Sequence, residues 1–234
     1  MSIITISRGS YSRGKEVAEK VAQELNYECI SRDILLEASE HFRIPEIKLA
    51  RAIHDAPRIL DRFSHGKQKY VAFIRAAILT YMKKNNIVYH GLAGHFFLQD
   101  IAHVLKERVI ADLESRVKEE MRRENITAAE ARKILKKDDD ERRKWGMVLY
   151  GKDTGDPSLY DLVVRVKTKS VDDAVNLILH AAQFACFKPT PESQKKIEDM
   201  ALAAEVKAAL VSMAPDAETL ATDGHAHVKV NAPA

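Results

Sequence analysis

Ser2-Ile3-Ile4-Thr5-Ile6-Ser7-Arg8 runs directly into Gly9-Ser10-Tyr11-Ser12-Arg13-Gly14-Lys15-Glu16, and then into a segment with Val17, Val21, Ala22 and Leu25 at helical spacing. The first stretch is short and rich in β-branched residues, as a parallel strand buried on both faces is. The last is an amphipathic helix. Between them lies G-x-x-x-x-G-K. A parallel strand delivers such a loop, its glycines let backbone N–H groups curl round an anion, and the helix N-terminus adds its positive dipole end. Lys15 is placed to reach the outer phosphates of a nucleotide. The candidate phosphate-binding residues are therefore Gly9, Ser10, Tyr11, Ser12, Arg13, Gly14, Lys15 and Glu16. Glu16 stands where a Ser or Thr would ligate Mg²⁺, so the cation is expected to arrive mainly on the nucleotide.

The rest of the chain fits one good-sized α/β domain with a small appendage. It has 234 residues, 46% hydrophobic and 30% charged, which suits a soluble protein with a sizeable core. The net charge of +3 is too mild for a surface built to hold nucleic acid or a membrane, but it allows a local cluster of Arg and Lys round phosphates. Cys29 and Cys186 lie far apart without metal or redox spacing, which fits a reducing cytoplasm. The longest apolar stretch, 174–187, is broken by Asn176, His180 and Gln183 and is too short to span a bilayer. No signal peptide is expected before the first strand.

Further strands are expected at 28–30, 87–89, 104–110 and 162–166, with helices between them. That alternation implies a parallel sheet covered on both faces, with the ligand at the carboxyl ends of the strands. The region 33–84 reads as helical throughout, an insertion that can cover a substrate. Thr127-Ala-Ala-Glu130 is a capping box opening a helix through the charged run to about Arg143. Lys188-Pro-Thr-Pro191 reads as a linker to one amphipathic helix over about 192–213, followed by a polar tail with one short alternating piece at 225–230.

Several of these segments together resemble the cytidylate kinase-like branch of the nucleoside-monophosphate kinases. The segments are Ile4-Thr-Ile-Ser-Arg8, Gly14-Lys-Glu-Val-Ala18, Ile30-Ser-Arg-Asp-Ile-Leu35, Val88-Tyr-His-Gly91, and above all 128–143 with Tyr150-Gly-Lys-Asp-Thr-Gly-Asp-Pro-Ser-Leu-Tyr160. The resemblance implies a P-loop fold of three layers with a parallel sheet of about five strands. It also implies a helical acceptor-binding insertion at 33–85 and a lid within 128–157; the C-terminal helical extension over 188–234 lies beyond the resemblance. The implied activity is ATP-dependent phosphoryl transfer with Mg²⁺, and the family's label for the acceptor is cytidylate. Family lids carry an Asp and Arg spaced as Asp139 and Arg142 are here, with Arg143 adjoining. In relatives the second strand often ends in Gly-Arg, whereas Gly91 here precedes Leu92. The C-terminal segment faintly resembles the start of a BON-type domain.

Lys15, Arg142, Arg143 and Asp139 are thus the candidate catalytic residues, and Arg32, Asp33, Arg75 and His90 the candidate acceptor-binding ones. Charge runs such as Lys136–Lys144 are usually solvated faces, and it is the spacing with Asp139 that favours a lid. His90, His95 and His103 have no ligand spacing for a metal. Two alternatives stay open: a nucleotide-binding regulator without turnover, and a P-loop kinase with a different small acceptor. Oligomeric state cannot be read from these residues.

Overall fold

The structure is a computed structural model and describes residues 2–9, 12–31, 40, 66–91, 94–167 and 169–230. It comprises two compact units, one of residues 1–31, 86–99 and 103–188, the other of 32–85, 100–102 and 189–234. Its described helices are α1 (Gly14–Leu25), α2 (Gly66–Met82), α3 (Gly94–Phe97), α4 (Leu113–Glu124), α5 (Ala128–Tyr150), α6 (Val171–Ala182) and α7 (Pro191–Leu210).

The first unit is an α/β fold on a parallel sheet. Strands β1 (Ile3–Arg8), β2 (Glu28–Ile30), β3 (Ile87–Tyr89), β4 (Val104–Ala111) and β5 (Leu162–Val166) pair in the order β2-β3-β1-β4-β5. β1 is central, with Ile3 facing Ile87 on one side and Val104 on the other. Its isoleucines are fully buried, as the β-branched run requires. The strand order reverses at β1. In open α/β sheets the crevice beyond the carboxyl ends of the strands at such a point is the ligand site.

On one face of the sheet, Val17, Ala18, Val21 and Ala22 of α1 meet Val171, Ala174, Val175 and Ile178 of α6 over Ile4, Ile6, Leu105, Val109 and Val164. Each valine, isoleucine and leucine here contributes about 1.5–3 kcal/mol by leaving water, so this layer holds α1, and the loop before it, in place. α1 stops where Asn26 turns left-handed at φ 53 and Tyr27 N–H closes on the Ala22 carbonyl.

One polar side chain sits in this apolar layer. Strand alternation puts Glu107 on the face of Leu105 and Val109, and it is fully buried with neither carboxylate oxygen hydrogen-bonded. Burial, helped by the negative charge of Asp161, raises its pKa well above the usual carboxylate range.

The capping box opens α5 as expected, with Thr127 and Glu130 bonding each other's backbone. The helix does not stop near Arg143 but continues through Gly146 to Tyr150, and ends where Gly151 turns left-handed at φ 67. Gly151 and Lys152 N–H groups then close on the carbonyls of Met147 and Gly146. A side chain at Gly146 would meet the Lys152 carbonyl at 2.8 Å, so a glycine there lets the following loop fold back on the helix. α6 likewise ends at Ala182, short of Phe187, and a separate 3-10 turn covers Ala185–Phe187.

In the second unit α7 packs along α2, whose Ala72, Phe73, Ile74, Ile78, Leu79 and Met82 are buried. Thr80 Oγ1 donates to Glu205 at 2.6 Å. The polar stretch expected as a loose tail is instead a hairpin, β6 (Glu218–Thr222) against β7 (His225–Lys229). Asp223 and Gly224 turn it at φ 56 and 75, the geometry of a tight two-residue turn. The Asp199 carboxylate on α7 accepts both turn amides, at 3.0 and 2.8 Å.

Candidate active site

Beyond the carboxyl ends of β1 and β4 the first unit holds a cleft of about 220 Å³. Arg8, Gly9, Arg108, Arg116, Arg142 and Arg143 line it, with Asp139, Asp140, Asp153, Thr154 and Gly155. Five arginines against three aspartates make it a cationic cleft, suited to phosphates.

The loop that enters it is built by its neighbours. Ser12 is fully buried, and its hydroxyl lies 3.0 Å from both the Gly9 and the Val109 carbonyls, tying the loop to β4. Arg13 caps α1 in a left-handed conformation at φ 62, a position that favours glycine. A side chain at Gly14 would meet the Arg8 Cβ at 2.7 Å, so the close approach of loop and strand end depends on a glycine there. A side chain at Gly9 would sit in ordinary contact with its surroundings, Arg116 Nη1 being the nearest atom at 3.9 Å. Lys15 lies on the first turn of α1, 62% exposed, with Glu19 at 3.5 Å. Glu16 is held by Arg13 through two bonds of 2.9 and 3.1 Å. Ser10 and Tyr11 lie outside the described residues.

The arginines are fixed from several elements. Arg116, on α4, is buried and grips Asp139 of α5 with both ends of its guanidinium. The carboxylate expected to work with Arg142 is therefore engaged by Arg116. Arg143 Nε donates to Asp153 at 2.9 Å, and the Gly155 N–H caps the same carboxylate at 2.7 Å. These bonds hold the Asp153 carboxyl below its usual pKa range. Asp156 caps the 3-10 turn at Pro157–Leu159, and Asp161 accepts the Lys106 N–H.

His95 lies at the cleft wall, buried against Phe96 and Tyr160. Burial first, then Arg108 and Lys152, bring its pKa down to about 3, so it is neutral at physiological pH. His90 is buried too, and its neighbour Gly91 rather than His90 lines the cleft. The ring of Tyr89 lies against Gly91 and Gly94, where any side chain would collide with it at 2.5 and 2.4 Å. Arg75 is on α2 in the second unit, beside a small recess with Lys207 and Thr219. Arg32 and Asp33, with residues 34–39 and 41–65 of the 33–85 insertion, lie outside the described residues. Among the described residues no group of three His, Cys, Asp or Glu side chains is placed to hold a metal ion.

The structure thus brings together Gly9, Asp139, Arg142 and Arg143 and adds Arg8, Arg108, Arg116, His95 and Asp153. Arg108 was legible as a charged residue at the carboxyl end of a core strand. Arg116 was not, since it is one of many charges on its helix.

Residues 3–168 match the cytidylate kinase-like family. The chain belongs to that family. Family and fold together make it a P-loop kinase, a nucleotide-using phosphotransferase scaffold. No curated protein sequence matches the chain. Among solved structures, an uncharacterized protein from Eubacterium ventriosum is 21% identical, covering 78% of this chain and 98% of its own, with a TM-score of 0.57. At that identity the likeness is one of fold. A shikimate kinase from Bacteroides thetaiotaomicron overlaps at 9% identity over 78% of this chain and 99% of its own, TM-score 0.48. A dephospho-CoA kinase from Campylobacter jejuni overlaps at 20% over 77% and 97%, TM-score 0.39. No described helix of this member of the family is long and apolar enough to cross a membrane.

Proposed function

We propose that the protein transfers the γ-phosphoryl group of ATP to a nucleoside monophosphate, with cytidylate (CMP or dCMP) as the acceptor the family implies. The observation that carries this reading is the forked Arg116 guanidinium beside Gly9, among four further arginines lining the same cleft. A cradle for phosphates needs such a donor set.

The loop 9–16 and Lys15 hold the donor phosphates. Arg116, Arg142 and Arg143 close round the charge that spreads over the transferred group. Asp139 and Asp153 hold Arg116 and Arg143 in readiness. An acceptor phosphate oxygen attacks the γ-phosphorus in line as the β–γ bridging oxygen leaves with ADP, without a covalent intermediate. Mg²⁺ brought with the nucleotide would supply neutralisation of phosphate charge; among the described residues no group of three His, Cys, Asp or Glu side chains is placed to hold it. Arg32, Asp33, Arg75 and His90 remain the proposed acceptor contacts.

The bond from Arg13 to Glu16 favours a second reading, a sensor that binds nucleotide without turning it over, because it takes the side chain at the usual Mg²⁺-ligand position. ATP consumption measured with Mg²⁺ against a panel of ribo- and deoxyribonucleoside monophosphates separates the two. Turnover with CMP or dCMP supports the kinase. ATP binding without turnover on any acceptor supports the sensor.

A further inference from the structure

Tyr160 ends the 3-10 turn before β5 and is buried. Its hydroxyl lies 3.0 Å from the Thr154 carbonyl, 3.2 Å from Ser7 Oγ, 3.3 Å from His95 Nε2 and 3.4 Å from Arg108 Nη1. These four groups come from the loop after α5, the end of β1, α3 and β4. The phosphate loop begins two residues after Ser7.

A phenol has one proton to give and two lone pairs to receive with. The Thr154 carbonyl can only accept and Arg108 can only donate. With the phenolic proton on Thr154, Arg108 takes one lone pair, and Ser7 and His95 compete for the other. Four neighbours exceed three valences, so the commitment of this hydroxyl depends on where the 152–156 loop lies. If Thr154 moves away, the proton is free to turn to His95 Nε2 or to Ser7. Neutral His95 can serve either as donor or as acceptor.

We infer that Tyr160 is a positioning residue: its hydroxyl latches the 152–156 loop over the cleft and aims Arg108 at the transferring phosphoryl group. The latched loop also carries Asp153, the anchor of Arg143. One hydroxyl thus sets two of the five arginines and ties both to the strand that delivers the phosphate loop. The target of Arg108 rests on the kinase reading above; the latch itself does not.

Tyr160→Phe removes only the hydroxyl. It keeps the ring contacts with His95, 5.0 Å between centroids, and with Arg108, 5.5 Å from its guanidinium carbon to the ring centre. Hydrogen exchange of the 152–156 amides should rise about 5-fold, the worth of one hydrogen bond. kcat should fall about 10- to 100-fold, while the KM for ATP moves less than about 3-fold, because alignment rather than binding is lost. Loop exchange and kcat both at wild-type values would overturn the inference. A purely structural tyrosine would lower the melting temperature without this local exchange or the kcat–KM split. If the wild type turns over no acceptor, the kinase reading fails, and the exchange result still decides the latch.

Discussion

Arg116 and Asp139 form a two-pronged pair between α4 and α5, Nη1 to Oδ2 at 2.8 Å and Nη2 to Oδ1 at 2.9 Å. The guanidinium fork fits a carboxylate and a phosphate equally well. Asp139 therefore keeps Arg116 beside Gly9 in the geometry a phosphate group needs.

That relationship gives two substitutions of the same sign and different size. Arg116→Lys keeps the charge but loses the fork, and should weaken ATP binding about 10-fold. Asp139→Asn loosens the hold on Arg116 and should weaken it about 3-fold, a small effect because the carboxylate is partly solvated. Calorimetry with ATP reads both; unchanged or tighter binding by Asp139→Asn contradicts the positioning role.

Glu107 predicts a stability effect with a definite pH sign. Its folded pKa is raised by burial, so the folded state holds this proton more tightly than the unfolded chain does. Its contribution is full below the unfolded value of about 4.3 and is lost as pH rises from there through the folded value. Glu107→Leu should be more stable than wild type at pH 7 by about 2 kcal/mol, the cost of a buried polar group without partners. The gap should narrow as pH falls towards 4. Denaturant titrations at several pH values test this, and a gap that does not change with pH would refute it.

His95 should act in the opposite direction. Its folded pKa is about 3 against an unfolded 6.5, so its contribution is present above 6.5 and lost as pH falls from 6.5 towards 3. Compared with His95→Gln, the wild type should lose up to about 1.4 kcal/mol per pH unit within that window. Parallel pH dependence of the two proteins would show that this histidine protonates freely when folded.

The centre of the fold was legible because local signals agreed there. The run Ile3–Ile6 could only be a buried strand, and the capping box at Thr127 fixed the start of α5. The loop 9–16 follows from the first of these. The cleft was half legible. Arg142 and Arg143 stood out through their spacing from Asp139, but the partner of that carboxylate is far away in sequence, on a helix whose many charges conceal Arg116. Tyr160 stood in the sequence only as the end of the segment 150–160, and the tertiary fold is what shows four polar groups converging on its hydroxyl. The hairpin at 218–229 was missed for a different reason. Its turn, Asp223-Gly224, carries a strong hairpin signal, but every residue of β7 is exposed, so no buried face imposes an apolar alternation.

The central claim is phosphoryl transfer that depends on the phosphate loop. Its most direct test follows the labelled γ-phosphoryl group of ATP in the presence of CMP and dCMP, for wild type beside Lys15→Ala. The account predicts label on the monophosphate with the wild type and a loss of about 100-fold or more in the variant, the scale for removing a charge that stabilises the transition state. ATP bound by the wild type with no label reaching any acceptor, or equal transfer by both proteins, would contradict it.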